Sequence, residues 1–389
     1  MYASLYYMFQ DLFGIRLAGL KMVQTFGFFV AISFLTASYV LARELKRKEK
    51  EGLMKPFWRK VMRGKRATPL QLFESFAVAF IVGYKLFLIF FDFDNFTQDT
   101  QGYLLSLKGN LIGGLLLGGL YAYLRYREKE KERLPEPKLV DEEVFPHQMV
   151  GDITLISAAG GLIGAKLFDS LENFSAFMAD PVGMLFSFSG LTVYGGLIVG
   201  TIFVLTYAKK KGLSLLPLMD AAAPAMLIAY SIGRIGCQMA GDGDWGIVNT
   251  APKPGWMSFL PDWMWAFGYP HNVSNMGVPI PNCIGEHCTV LDPPVFPTPF
   301  YETVTCAILF FILWRMRKHI KAPGVIFCIY LAMNGVERFF IELIRVNTKY
   351  HFFGIEATQA QLISPIFFLL GIFGIYYFTK RAKKNGITT

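Results

Sequence analysis

Three stretches of this sequence set polar, chemistry-capable residues inside otherwise apolar runs. The first, Gly233-Arg234-Ile235-Gly236-Cys237-Gln238-Met239-Ala240-Gly241-Asp242-Gly243-Asp244-Trp245-Gly246, closes a long apolar segment with one Arg, two Asp and five Gly. Glycines let backbone N–H groups come close to a ligand, and a guanidinium fork suits a phosphodiester. Arg234 and the backbone of the glycines are therefore candidate contacts to an anionic headgroup. The plainer alternative is a helix end that unwinds while Arg234 snorkels to the membrane surface. In the second stretch Asn334, Arg338, Glu342 and Arg345 follow one another at spacings of four, four and three, which puts them on one helical face. Glu342 can hold either arginine there, for a ligand or as a structural ion pair. The third, Tyr194-Gly195-Gly196, opens another apolar run; no histidine lies inside an expected span, so Tyr194 is the ionisable group at that depth. A lone tyrosine there also reads as an interfacial anchor. Tyr301 and Glu302, in Pro297-Thr298-Pro299-Phe300-Tyr301-Glu302, start a further span, where a carboxylate complements the helix dipole or serves a site.

The elements that position these residues are membrane helices. Hydrophobic residues make up 53% of the 389, aromatic residues 16% and charged residues only 17%, against about a quarter charged in soluble domains. Runs of roughly 20 apolar residues recur, the length that spans a bilayer, and the short alternating segments of an outer-membrane barrel are absent. The fold class expected is all-α, a polytopic helical membrane protein. Nine spans are expected near 22–42, 73–91, 110–124, 150–169, 190–208, 217–237, 299–314, 323–341 and 361–379. The net charge of +9 does not indicate nucleic acid: Arg43–Arg66 alone holds eleven Lys/Arg against three Glu. Basic loops follow alternate spans and contain 28 of the 38 Lys/Arg, whereas the intervening loops hold only Lys108, Lys253, Arg345 and Lys349. The positive-inside rule then puts the N-terminus outside and the C-terminus inside. Lys85, Lys166, Arg234 and Arg338 fall within spans, where a cation is costly unless it snorkels or faces a wet cavity.

Five cysteines are too few and too scattered for a disulfide scaffold. Cys283 and Cys288 share a polar loop, where a disulfide is favoured in an oxidising compartment; His287 beside Cys288 leaves a metal alternative. Cys237 reads as small-residue packing rather than as a covalent nucleophile. An internal similarity links Gly83-Tyr84-Lys85-Leu86-Phe87 to Gly164-Ala165-Lys166-Leu167-Phe168. Lys108-Gly109 with Ile112-Gly113-Gly114-Leu115 likewise matches Ser189-Gly190 with Tyr194-Gly195-Gly196-Leu197. Both copies enter from the inside, so the repeat reads as a parallel, duplicated helical hairpin, the alternative being chance similarity between Gly-rich membrane helices. Only the second copy has the tyrosine; the first has Ile112.

Taken in order, these motifs resemble the bacterial prolipoprotein diacylglyceryl transferase family. Gly233–Gly246 is similar to the family signature Gly-Arg-Ile-Gly-Asn-Phe-Ile-Asn-Gly-Glu-Leu-Trp-Gly, and Pro297–Glu302 to its Pro-Ser-Gln-Leu-Tyr-Glu. Arg338–Arg345 is similar to Arg-x-x-x-Glu-x-x-Arg, Tyr194–Ile198 to His/Tyr-Gly-Gly-Leu-Ile, and Gln361 to a glutamine near the last helix. The resemblance runs from about Gln24 to Lys380. It departs at Cys237 and Ala240, where the family has Asn, and at Asp242 or Asp244, which replace a Glu with one extra residue. Near the first helix, Gln24 and Phe26 stand for His and Tyr.

The resemblance implies a seven-helix transferase core to which residues 70–126 add a hairpin, making about nine spans with a small periplasmic head. The organisation expected is a periplasmic segment 1–21, a first span and basic loop 22–69, and the added hairpin with a charged loop 70–149. Core spans 150–240, the periplasmic head 241–298 and the last three core spans with a basic tail 299–389 follow. It further implies transfer of the sn-1,2-diacylglyceryl group from phosphatidylglycerol to a prolipoprotein lipobox cysteine, at the bacterial plasma (inner) membrane. The lipid, the signal peptide and the bilayer are its partners. Tyr194, Arg234 and Arg338 are expected to be catalytic. Gly195, Gly196, Gly236, Asp242, Asp244, Gly246, Tyr301, Glu302, Glu342, Arg345 and Gln361 are expected to bind substrate, with no cofactor and no metal. Two classes compete: a non-catalytic binding or assembly protein, and a transporter or translocator of anionic lipid or solute, which would carry flux without a covalent product. Its usual sign, an inverted repeat around broken helices, is not seen in the sequence.

Overall fold

The computed structural model describes all residues except 93–95, 97–105, 188–189, 191, 348–349, 353–354 and 387–389. Ser189 of the repeat and Lys349 of the loop count therefore lie outside the described residues. The chain is mostly helical: α1 (Leu5–Phe13), α2 (Thr25–Lys50), α3 (Pro69–Phe91), α4 (Leu111–Lys131), α5 (Val150–Glu172), α6 (Phe174–Ala179), α7 (Pro181–Phe186), α8 (Val193–Lys210), α9 (Leu215–Ala240), α10 (Thr298–Met316), α11 (Val325–Glu342) and α12 (Gln359–Lys384). Helices occupy all nine expected span positions. Among the described residues, however, only six are long and apolar enough to cross a membrane, namely α2, α3, α5, α9, α10 and α12. The protein is thus a polytopic helical membrane protein, and the remaining three helices, α4, α8 and α11, fall short of that measure.

Local chemistry sets the helix ends. Thr68 and Gln71 form a reciprocal capping box ahead of α3, with Pro69 in the first turn. The Asn110 side chain accepts from Gly113 N at the start of α4. Gly241, at φ 66°, terminates α9 in the left-handed region; a side chain there would also press on Asn272 and Met1.

Two compact units are distinguished. The first comprises Met1–Lys55, Pro146–Leu155 and Leu205–Thr389, and so contains α1, α2, and α9 to α12. Here Gly236 lets α9 pack on Phe26 and Phe29 of α2. Asp220 of α9, buried, accepts from Gly324 N at 2.8 Å and Phe327 N at 2.9 Å, so a side chain of one helix caps the start of α11. Lys48 of α2, also buried, lies 3.7 Å from the same carboxylate. Glu44 meets Arg47 and, at 3.1 Å, Arg317. Between α9 and α10 the chain forms a small cap around Trp245, Tyr269 and Val295. This cap holds the two-residue strand pair Val278–Pro279 with Thr289–Val290 and the Cys283–Cys288 disulfide.

The second unit comprises Pro56–Phe145 and Ile156–Val204. Its strands β1 (Phe57–Arg63) and β2 (Lys138–Val144) pair antiparallel, Phe57 opposite Val144, so the basic loops expected after the first and third spans are joined in a sheet. The duplicated hairpin is visible in its packing. In one copy Gly83 faces Gly113 O and Leu117 while Gly113 faces Phe87; in the other Gly164 faces Gly195 O and Val199 while Gly195 faces Phe168. Glycine at these positions is what allows the backbones to approach so closely. Each copy also turns its lysine onto its own loop, Lys85 to the Ser106 and Lys108 carbonyls and Lys166 to Met184 O and Ser187 Oγ.

Candidate active site

The first unit gathers most of the charged residues singled out in the sequence. Glu302, in the first turns of α10, has no solvent exposure and meets three arginines. Arg234 Nε lies 3.0 Å from Oε2, Arg338 Nη1 2.9 Å from Oε1, and Arg345 Nη1 3.3 Å from Oε1. Asp244, just past the end of α9, ion-pairs with both Arg234 and Arg345. Glu342 takes the other side of Arg338 at 3.3 Å and accepts from Asn347 Nδ2 at 2.6 Å. Three guanidinium groups are therefore matched by three carboxylates in a network buried at Glu302, Glu342 and Arg234 and half-buried at Asp244, Arg338 and Arg345, the arrangement that offsets the desolvation of each charge.

Its geometry follows from where the helices end. After Gly241 turns the chain, Asp242 Oδ1 accepts from Asp244 N at 3.3 Å, and Asp244 O accepts from Thr298 Oγ1 at 2.8 Å. Asp244 thus faces back over the α9 terminus, beside Arg234. Arg345 does not continue the α11 face as its spacing predicted. The helix ends at Glu342, and Arg345 is drawn into a β-bridge with Gly246. Gly246 N donates to Phe296 O, Ile247 N donates to Ile344 O, and a side chain at 246 would collide with Ile344 O and Phe296. The role of that glycine is close approach of backbones. Consequently Arg345 pairs with Asp244 and Glu302, while Glu342 serves Arg338.

The sequence reasoning missed Tyr230, which sits at the centre. Its hydroxyl donates to Glu302 Oε1 at 2.7 Å and accepts from Arg234 Nη2 at 2.9 Å and Arg338 Nη1 at 3.4 Å. Its ring also lies 5.0 Å from the Arg234 guanidinium carbon. The available signal was its position one helical turn before Arg234.

The other expected residues have different surroundings. Gly236 is a packing glycine against α2. Tyr301 donates to Met264 O in the cap at 2.8 Å, fixing the cap to α10. Gln361 forms a capping box with Thr358 at the start of α12. Tyr194, Gly195 and Gly196 belong to the second unit, where Gly195 packs on Phe168 and Gly196 faces Gly161 O.

The two aspartates of the loop differ electrostatically. Burial works to raise the Asp244 carboxyl, but Arg234 and Arg345 hold it below the usual carboxylate range. Asp242 is pushed up by burial and by the charge of Asp244. Cys237, Asp242 and Asp244 bring potential ligand atoms within 4.8 Å of one another. Arg234 Nη1, 3.6 Å from the Cys237 sulfur and paired with Asp244, already supplies the positive charge there.

The residues 111–377 match the family model described as prolipoprotein diacylglyceryl transferase. Among curated relatives, the phosphatidylglycerol–prolipoprotein diacylglyceryl transferase of Leptospira interrogans serogroup Icterohaemorrhagiae serovar copenhageni is 27% identical over 322 residues, covering 70% of this chain and 89% of the relative. The protein of that name from Clostridium tetani is 27% identical over 260 residues, covering 67% and 88%. That from Gloeobacter violaceus is 26% identical over 259 residues, covering 64% and 84%.

Proposed function

Because this chain belongs to the prolipoprotein diacylglyceryl transferase family, we propose that it transfers the sn-1,2-diacylglyceryl group of phosphatidylglycerol to the thiol of a prolipoprotein cysteine, forming a thioether and releasing glycerol phosphate. One observation carries this reading: three arginines from two helices and the loop beyond converge on buried carboxylates, at the point where the glycine-rich segment leaves α9. The bond that breaks joins the diacylglyceryl carbon to a phosphate oxygen, and negative charge grows on that phosphate as it leaves. Cations fixed in advance, in a site shielded from water, stabilise such charge without reorganising. In our reading Arg234 and Arg338 take the phosphate, with Arg345, Glu302, Glu342 and Asp244 holding their forks in place. In this reading Gly236, Gly246, Tyr301 and Gln361 support the site indirectly, by packing α9 on α2, bringing backbones together, fixing the cap to α10 and capping α12.

The nucleophile comes with the substrate, so the enzyme has only to help remove a proton from a thiol of pKa about 8.5. We assign that help to Tyr194, flanked by Gly195 and Gly196. A tyrosine of ordinary pKa about 10 is a weak base unless a nearby cation lowers it. The peptide substrate is a signal peptide bearing a lipobox cysteine. The placement we favour is the bacterial inner membrane, with the N-terminus periplasmic and the C-terminus cytoplasmic. Its support is the concentration of Lys/Arg in alternate loops.

The test uses the purified full-length protein, phosphatidylglycerol and a synthetic lipobox peptide, with the Cys→Ser peptide as control. Mass spectrometry is expected to find diacylglyceryl on the thiol with wild type, none on the serine peptide, and a loss on the order of 10²-fold in Arg234→Ala. Folded wild type that modifies no peptide would overturn the proposal.

A further inference from the structure

One carboxylate near the arginine network takes no part in it. Glu337 precedes Arg338 on α11 and is 5% exposed, and neither of its carboxylate oxygens has a hydrogen-bond partner among the described residues. Glu302 and Asp244, by contrast, each meet two or more arginines, and Glu342 meets Arg338 and Asn347. The groups that act on Glu337 come from three helices. They are Tyr230 and Arg234 of α9, Glu302 and Cys306 of α10, and Tyr330 and Arg338 of α11, with Arg345 beyond its end.

Ionised, Glu337 would lose its hydration and receive no hydrogen bond in exchange. It would also add a fourth negative charge where three arginines are already matched by Glu302, Asp244 and Glu342. The neutral acid avoids both costs. The reaction proposed above has a use for such a group, and the inference rests on that reading. The phosphodiester arrives with one negative charge, whereas the phosphate monoester that departs carries two unless a proton reaches it.

We propose that Glu337 is a neutral carboxylic acid and the general acid of the transfer, protonating the phosphate as it leaves. The C–O bond to the diacylglyceryl carbon breaks with its electron pair remaining on the phosphate oxygen, while sulfur forms the new S–C bond. The proton of Glu337 passes to the phosphate, which departs with a single negative charge. The thiol gives up one proton per cycle and the phosphate takes one, so water reprotonates Glu337 with no net consumption of acid.

The experiment compares wild type, Glu337→Gln and Glu337→Asp in the lipobox-peptide assay across pH, with infrared difference spectra of the same preparations. Wild type is expected to show the C=O band of a protonated buried acid, and Glu337→Gln to lack it. Glu337→Gln is expected to lose about 100-fold in kcat with little change in KM for phosphatidylglycerol, and to lose the alkaline fall of the wild-type pH profile. Glu337→Asp is expected to recover part of the rate and of that profile. Active wild type beside a Glu337→Gln enzyme of equal kcat and unchanged pH profile ends the inference alone, and so does a wild type without the band. Folded wild type that forms no thioether ends the transferase reading, and this inference falls with it. Should Glu337→Gln fail to fold, the wild-type band and the Glu337→Asp profile decide.

Discussion

Arg338 Nη1 lies 2.9 Å from Glu302 Oε1, joining α11 to α10 through a carboxylate that solvent does not reach. Glu302 is the counter-charge shared by Arg234, Arg338 and Arg345, so its removal leaves several buried cations underpaired. Glu302→Ala is expected to destabilise the protein by about 3–5 kcal/mol, the cost typical of breaking a buried pair. The loss is read as a lower midpoint of thermal unfolding in detergent. Arg338→Ala is expected to cost activity on the order of 10²-fold as well. An Arg338→Ala enzyme with wild-type transfer would remove this arginine from the phosphate site.

Tyr230→Phe keeps the ring beneath Arg234 and deletes only the hydroxyl. The hydroxyl ties Glu302 to two arginines, and its loss leaves a buried acceptor short of a donor. The expected cost is about 1–3 kcal/mol, with kcat falling further than KM changes if the arginine forks lose their alignment. Unfolding midpoints and initial rates in the lipobox-peptide assay check the two parts.

Arg345 uses two nitrogens for two carboxylates, Nη2 for Asp244 and Nη1 for Glu302. A lysine offers a point charge without the fork. Arg345→Lys is therefore expected to behave like Arg345→Ala in transfer rate rather than like wild type. A lysine variant with more than half the wild-type rate would mean that charge alone suffices.

Acid should act on the loop in two opposing ways. The folded-state pKa of Asp244 is depressed, so its contribution is present above the unfolded value of about 3.9. That contribution is lost as pH falls through the folded value. Asp242, raised by burial, binds its proton more tightly when folded and favours the native state as pH falls through its raised pKa. Asp244→Asn should flatten the acid limb of a stability-versus-pH curve, and Asp242→Asn should steepen it. Unfolding midpoints in detergent from pH 3 to 7 would reveal both, and identical curves for the two variants would contradict the assignment.

The duplicated hairpin makes a paired prediction. A methyl group at position 83 or 164 would press on the facing Gly113 or Gly195 carbonyl. Gly83→Ala and Gly164→Ala are each expected to destabilise by about 1–3 kcal/mol through overpacking. If only the second copy serves catalysis through Tyr194, Gly164→Ala should also slow transfer, while Gly83→Ala should spare the rate of the protein that remains folded.

Much of this was legible in the sequence because bilayer-length apolar runs and the basic loops between them are strong signals. The arginines stood out for the same reason: a cation within such a run is costly and has to be explained. Tyr230 and Glu337 did not stand out, one because tyrosine blends into an aromatic-rich helix, the other because its neighbour Arg338 claimed the helical face. The position of Arg345 was hidden by the end of α11 at Glu342, after which helical spacing no longer governs direction. Gln361 illustrates the reverse. Thr358 three residues ahead of it is a helix-start pattern readable from the sequence, and the structure has that capping box.

The carboxylate of Asp220 at the beginning of α11 has a mechanical consequence. Fourteen residues separate Asp220 from Arg234 on α9, and fourteen separate Gly324 from Arg338 on the neighbouring helix, a distance of about 21 Å along each at 1.5 Å per residue. One end is fastened by the Asp220 contacts to Gly324 N and Phe327 N, the other by the Tyr230 hydroxyl, which both arginines share. The two helices act as a beam clamped at both ends. Sliding one along the other would tear both fastenings, so the two arginines keep a fixed spacing while a substrate binds between them.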